Sequence, residues 1–175
     1  MPETKPKKTV SLAEVPLDDG ACREDFALTD RYQAFSSELV RVALLGIAVC
    51  GFLLKEVYFA EKHDAFLTAL KAYRHFFQFG IVSLAASASF ALGHRYFSSD
   101  SMAFHVTYLR LRKLRDEGSD AAQRYEDLNS RMATEKSSYR RRLKICWWLL
   151  LLATIFLVIG AFTLAYTFSR TLFTG

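Results

Sequence analysis

Cysteine and histidine are scarce in this chain, and their scarcity excludes several kinds of site. The 175 residues include three cysteines and four histidines, with no Cys-x-x-Cys pair and no two histidines three or four residues apart. A disulfide framework or a zinc site is therefore not expected, and no metal or other cofactor is predicted. HExxH, GxSxG, P-loop and GxGxxG motifs are also absent, so the sequence does not indicate an enzyme.

Proline is confined to the first 16 residues, within a polar segment that shows no persistent helical or strand period. The segment also lacks the apolar stretch of a secretory signal peptide. We therefore predict a flexible cytoplasmic tail over residues 1–30 and a helical membrane domain over residues 31–175.

Charge is missing from three apolar blocks, which is the strongest pattern in the chain. The last block, residues 145–169, has 25 consecutive uncharged residues, and about 20 are enough for a helix to cross a bilayer. The second block, residues 76–93, has 18 uncharged residues, and the first, residues 42–54, has 13. We predict an all-α integral membrane protein with three transmembrane helices, at about residues 37–60, 76–97 and 145–169. The first block is short, so a buried core helix is the alternative for that segment.

The distribution of lysine and arginine predicts the orientation of the chain. With three spans, 18 of the 23 basic residues lie on the side that holds the N-terminus and the connection between the second and third spans. Basic residues are concentrated in cytoplasmic segments. We therefore predict a cytoplasmic N-terminus and an outer C-terminus, in a bacterial inner (plasma) membrane.

The second block is rich in small residues, which let helix backbones approach closely in lipid. Ala85, Ser89 and Gly93 recur at intervals of four residues and so share one helical face. The alternative is a mildly apolar span with no dedicated partner. The residues predicted to pack between helices or to line a pore are Gly80, Ser83, Ala85, Ser87, Ser89 and Gly93.

The connection between the second and third spans, residues 98–144, contains two helical stripes separated by Gly118, a helix stop. In the second stripe, positions recur in steps of three and four, as in a coiled coil. We predict an antiparallel cytoplasmic hairpin whose second helix continues from about Ser119 to about Ser169. The alternative is two helices lying flat on the membrane. The predicted hairpin-packing residues are Phe104, Tyr108, Leu111, Tyr125, Leu128, Met132 and Tyr139.

Basic residues crowd the start of the third span. Contact with anionic headgroups or with a partner protein is predicted for Arg140, Arg141, Arg142 and Lys144. No aromatic platform accompanies them, so nucleic acid is not an expected partner. Near the same level, His94, Arg95 and Asp100 form either an interfacial polar cluster or, if they converge on a cavity, a proton, ion or catalytic site.

These features predict a non-enzymatic, multi-pass membrane protein. It would act as a self-associating scaffold or a partner-binding membrane subunit through its cytoplasmic helical hairpin. The expected partners are a bilayer with anionic headgroups and either further copies of the chain or another membrane or cytoplasmic protein. The alternative is a small oligomeric pore-forming effector, of the bacterial toxin or antiphage type, that a signal at the hairpin opens.

Overall fold

The computed structural model describes residues 15, 19–59, 68, 71–116 and 122–174. These residues form three long helices: α1 (Asp19–Phe59), α2 (Arg74–Asp116) and α3 (Ala122–Thr174). With 41, 43 and 53 residues, the helices are about 60, 65 and 80 Å long at about 1.5 Å per residue. Each is long and apolar enough to cross a membrane, and each is two to three times as long as the ~30 Å apolar layer of a bilayer.

Helix α1 begins at Asp19. Residues 19–30, for which the sequence predicted a flexible tail, are therefore helical. The face that this part of α1 turns to α2 is polar: Asp25, Thr29 and Gln33 each contact an α2 side chain. A search for an apolar stripe misses such a helix, because its contact face carries no hydrophobic period. Residues 1–14 and 16–18 lie outside the described residues.

Helix α3 is continuous from Ala122 to Thr174, which confirms the prediction of a single helix that begins before the basic cluster and runs through the last apolar block. This segment has no proline, and its single glycine, Gly160, lies inside the helix. The predicted turn at residues 117–119 lies outside the described residues.

Helices α2 and α3 pack side by side and antiparallel along most of their length. Their ring pairs show the direction, because Phe77 contacts Phe168 at 6.0 Å, whereas His105, farther along α2, contacts Tyr139 at 4.8 Å. The buried seam of α2 follows steps of three and four, the spacing of coiled-coil packing. Its residues are Phe77, Gly80, Leu84, Ser87, Ala91, His94, Ser98 and Ser101.

The seam of α3 carries the same spacing across its apolar segment. Its buried residues are Cys146, Ala153, Gly160, Leu164, Thr167 and Thr171. Most members of both seams are small, so the two backbones approach closely, which favours helix association in lipid, where apolar burial contributes little.

Helix α1 packs mainly against α2 and much less against α3. Helices α1 and α2 are in close contact at Gly46, where a Cβ atom would lie 2.8 Å from a methyl group of Leu84. Farther along, Leu39 joins Ala91 of α2 and Ala153 of α3 in a buried apolar cluster. The fold is thus a tight α2–α3 pair with α1 laid along one side.

Candidate functional site at the stalk and its junction with the apolar segments

All three helices extend past their apolar segments at the same end of the molecule. We call this extension the stalk; it consists of residues 19–36 of α1, 98–116 of α2 and 122–144 of α3. The stalk carries most of the polar contacts between helices, and it continues into the apolar segments without a break in any helix.

One contact in the stalk joins all three helices. His105 of α2 lies with its Nε2 atom 3.1 Å from a carboxylate oxygen of Asp25 in α1, and its ring stacks on Tyr139 of α3. Burial, followed by the negative charge of Asp25, raises the pKa of the Tyr139 hydroxyl, so this group stays protonated over the physiological range. The cluster therefore links α1 to the α2–α3 pair.

The side chain of Arg142 in α3 is partly buried and contacts α2. Its guanidinium pairs with the carboxylate of Asp100 in α2 and lies over the ring of Phe104 at 4.6 Å from the centroid. The other members of the predicted basic cluster, Arg140, Arg141 and Lys144, are exposed. The four residues therefore do not form one uniform surface, because Arg142 is engaged in packing.

A cavity of about 200 Å³ opens between the three helices where the stalk meets the apolar segments. Thr29 and Tyr32 of α1 line it, together with His94 and Ser98 of α2 and Cys146 of α3. The His94 side chain is 3% exposed, and its Nδ1 atom has no hydrogen-bond partner among the described residues. His94 thus lines the cavity with a buried imidazole that makes no hydrogen bond to another described residue.

His94, Arg95 and Asp100 do not converge on this cavity. Only His94 lines it, Arg95 is exposed, and Asp100 is paired with Arg142. The combined polar site that the sequence left open is therefore not formed by these three residues.

The structure divides the predicted small-residue set between two faces of α2. Gly80, Ser83 and Ser87 are buried, and the Ser87 hydroxyl donates to the carbonyl oxygen of Ala153 in α3 at 2.7 Å. Ala85 and Ser89 are exposed on another face. Gly93 is partly buried, with side-chain atoms of Leu149 3.7 Å from the position of a Cβ atom.

The predicted hairpin-packing residues are buried to different degrees. Leu111 and Met132 are buried. Those that are partly buried are Phe104, Tyr108, Leu128 and Tyr139. The side chain of Tyr125 lies outside the described residues.

Sequence reasoning missed the α1 side of the site. Asp25, Thr29, Gln33 and Ser36 follow helical spacing, and Ser36 is fully buried. The sequence signal for this contact face is a helical periodicity of polar residues rather than of apolar ones. His105 was also missed, because its partner Asp25 lies 80 residues away in the chain.

Comparison of the chain with protein-family models, with curated proteins and with solved structures finds no match. Within the part of the chain that the structure describes, no group of three or more His, Cys, Asp or Glu residues is placed to hold a metal ion.

Proposed function

We propose that this chain is a non-enzymatic membrane subunit that self-associates or binds a partner protein through its stalk. The observation that carries the proposal is an apolar stripe on the stalk part of α1. Leu28, Tyr32 and Phe35 lie at helical spacing, and 51%, 49% and 48% of each residue is exposed. Contiguous apolar surface on an otherwise polar element is typical of an interaction site.

About half of each stripe residue is exposed, although Tyr32 also lines the cavity between the three helices. The adjacent face of α1 is occupied by α2, through Asp25, Thr29 and Gln33. The stripe is therefore available to another protein without any rearrangement of the three helices. It lies on the same stalk as the α2–α3 hairpin, so a partner bound there would also meet the exposed polar side chains of the hairpin.

The basic residues favour a cytoplasmic location for the stalk, and the membrane that we propose is a bacterial inner membrane. Arg140, Arg141 and Lys144 are exposed immediately before Trp147 and Trp148, aromatic residues of the type that favours the headgroup level. Each such basic charge contributes about 1 kcal/mol of attraction to an anionic leaflet. Together with the bias of basic residues along the chain, this favours a cytoplasmic N-terminus and an outer C-terminus.

Continuity of the helices would give the subunit its mechanical role. Because α2 and α3 each run through the stalk and the apolar segment as one helix, a partner on the stalk would be held at a defined distance from the bilayer. Displacement of the stalk would also be transmitted into the membrane part, since no flexible joint separates the two.

Photo-crosslinking in native membranes tests the proposal. The photoreactive residue p-benzoylphenylalanine is placed at Leu28, on the stripe, or at Ala133, an exposed stalk position on α3, as the matched control. We expect adducts from position 28 and few from position 133. Co-expression of a larger tagged copy separates self-association, which gives a mixed dimer, from binding of a different protein. Equal yields at the two positions, or no adduct from position 28, would refute the proposal.

The alternative of an oligomeric pore has less support. Two of the three serines proposed to line it, Ser83 and Ser87, are buried, and Ser87 donates to Ala153 of α3. Ser89 is exposed and donates to its own helix at Ala85. Loss of membrane potential on induced expression of the chain would favour this alternative over the scaffold.

A further inference from the structure

We propose that the cavity at the junction of the stalk and the apolar segments binds a neutral, ring-sized molecule that carries a hydroxyl group, with His94 as the hydrogen-bonding anchor. This binding site goes beyond the scaffold function and requires no partner protein. Four properties of the cavity carry the proposal: its size, its orphaned nitrogen, its lack of charge and its position.

The size of the cavity matches one small ring. Its volume is about 200 Å³, and an apolar protein cavity of about 150 Å³ is known to accept benzene. A single ring with one or two small substituents therefore fits, whereas a lipid with full acyl chains does not fit inside. Met102, Leu143 and Leu150 supply apolar walls for such a ring.

His94 supplies the polar contact. Its side chain is almost fully buried, and Nδ1 has no hydrogen-bond partner among the described residues. Leaving a buried imidazole without a hydrogen-bond partner is unfavourable, and a ligand hydroxyl that reaches the edge of the ring facing the cavity would supply one. A hydroxyl both donates and accepts, so it suits either tautomer of the imidazole.

The lining excludes a charged ligand. None of the described residues that line the cavity is Asp, Glu, Lys or Arg, so a charged group would enter without a counter-ion. Removing a charge from water without pairing it is far more costly than removing a hydroxyl that finds a partner. The preferred ligand is therefore neutral.

The position of the cavity gives it an entrance from the membrane interface. Tyr32 and Trp147 both line it, and they are 49% and 60% exposed. Because the lining comes from all three helices, a bound molecule would contact each of them at the level where the stalk begins. Occupancy would stabilise the packing of α1 on the α2–α3 pair.

Cys146 offers a local reporter of occupancy, since its side chain lines the same cavity. In full-length protein with Cys22 and Cys50 replaced by alanine, the rate of Cys146 alkylation by N-ethylmaleimide is measured in detergent. The probe is 4-methylphenol, and para-xylene, which has nearly the same shape without the hydroxyl, is its control. At about four times Kd, we expect 4-methylphenol to slow alkylation about fivefold and para-xylene to slow it clearly less.

Two variants connect this preference to His94. His94→Leu should abolish the difference between the two probes, whereas His75→Leu, at an exposed histidine at the far end of α2, should retain it. No protection by either probe would overturn the proposal. Equal protection by both probes, or a preference that survives in His94→Leu, would overturn it as well.

A second measurement avoids any dependence on the folding of His94→Leu. On the unaltered chain, 4-methylphenol should raise the Tm in detergent more than para-xylene does, because a ligand that binds only the folded state stabilises it. Equal changes in Tm with the two probes would overturn the proposal. That result would leave the proposal of self-association through α1 unchanged.

Discussion

Gly160 of α3 lies directly against the backbone of α2 at Gly80. A Cβ atom on Gly160 would be 3.0 Å from the carbonyl oxygen of Gly80 and 2.9 Å from a methyl group of Leu84. The backbone atom cannot move aside without separating the helices, so the close packing of α2 and α3 depends on the absence of a side chain at this point.

We therefore expect Gly160→Ala to destabilise the protein by about 1–3 kcal/mol, the usual cost of overpacking. Thermal unfolding in detergent measures the change. Gly51→Ala is the matched control, because a Cβ atom there meets nothing within 4 Å, and alanine has the higher helix propensity. A Tm of Gly160→Ala equal to that of Gly51→Ala would show that α2 and α3 do not approach as described.

The two serines Ser87 and Ser89 provide a second matched pair. Ser87 donates to Ala153 across the α2–α3 contact at 2.7 Å, whereas Ser89 donates to Ala85 of its own helix. We expect Ser87→Ala to cost about 0.5–1.5 kcal/mol and Ser89→Ala to have almost no effect. Unfolding by a denaturing detergent, followed by circular dichroism, compares them. An effect of Ser89→Ala as large as that of Ser87→Ala would contradict the assignment of faces.

His105 should control how firmly the first part of α1 is held. His105→Ala removes the contact with Asp25 and the stacking on Tyr139. A loss of about 1 kcal/mol corresponds to about a fivefold rise in hydrogen exchange, measured at the amides of residues 23–33. The variant His75→Ala, at an exposed position, should leave this exchange unchanged. Unchanged exchange in His105→Ala would show that the contact does not hold α1.

The neighbouring residues Arg141 and Arg142 should differ in their effects on stability and on lipid binding. Arg142 pairs with Asp100 and covers Phe104, so Arg142→Ala should lower stability by about 1 kcal/mol, a modest value since the pair is partly exposed. Arg141→Ala, at an exposed position, should leave the Tm unchanged but weaken the binding of the purified protein to phosphatidylglycerol in mixed micelles. The reverse pattern would contradict the division of the basic cluster.

The apolar blocks were readable from the sequence because their signal is local. The run of uncharged residues from Ile145 to Ser169 exceeds what a bilayer requires, and the absence of proline from residues 119–169 predicted an unbroken helix. The three helices that are long and apolar enough to cross a membrane follow from these local properties. The hairpin stripe that ends at Tyr139 could be predicted for the same reason. Its residues recur in steps of three and four, and the positions between them are mostly polar.

Only the tertiary structure decided which face of each helix is buried against another helix and which face is exposed. Within an apolar block every face is apolar, so the sequence offers no contrast by which to distinguish the buried Ser87 from the exposed Ser89. In the first part of α1 the contrast is inverted, because the contact face is polar and the stripe with Leu28 is exposed. The pairing of Arg142 with Asp100 and the burial of His94 beside a cavity depend on helices that are distant in sequence. Length and charge thus determined the three apolar helices, whereas only the packing of one helix on another determined the cavity, the stalk contacts and the exposed stripe.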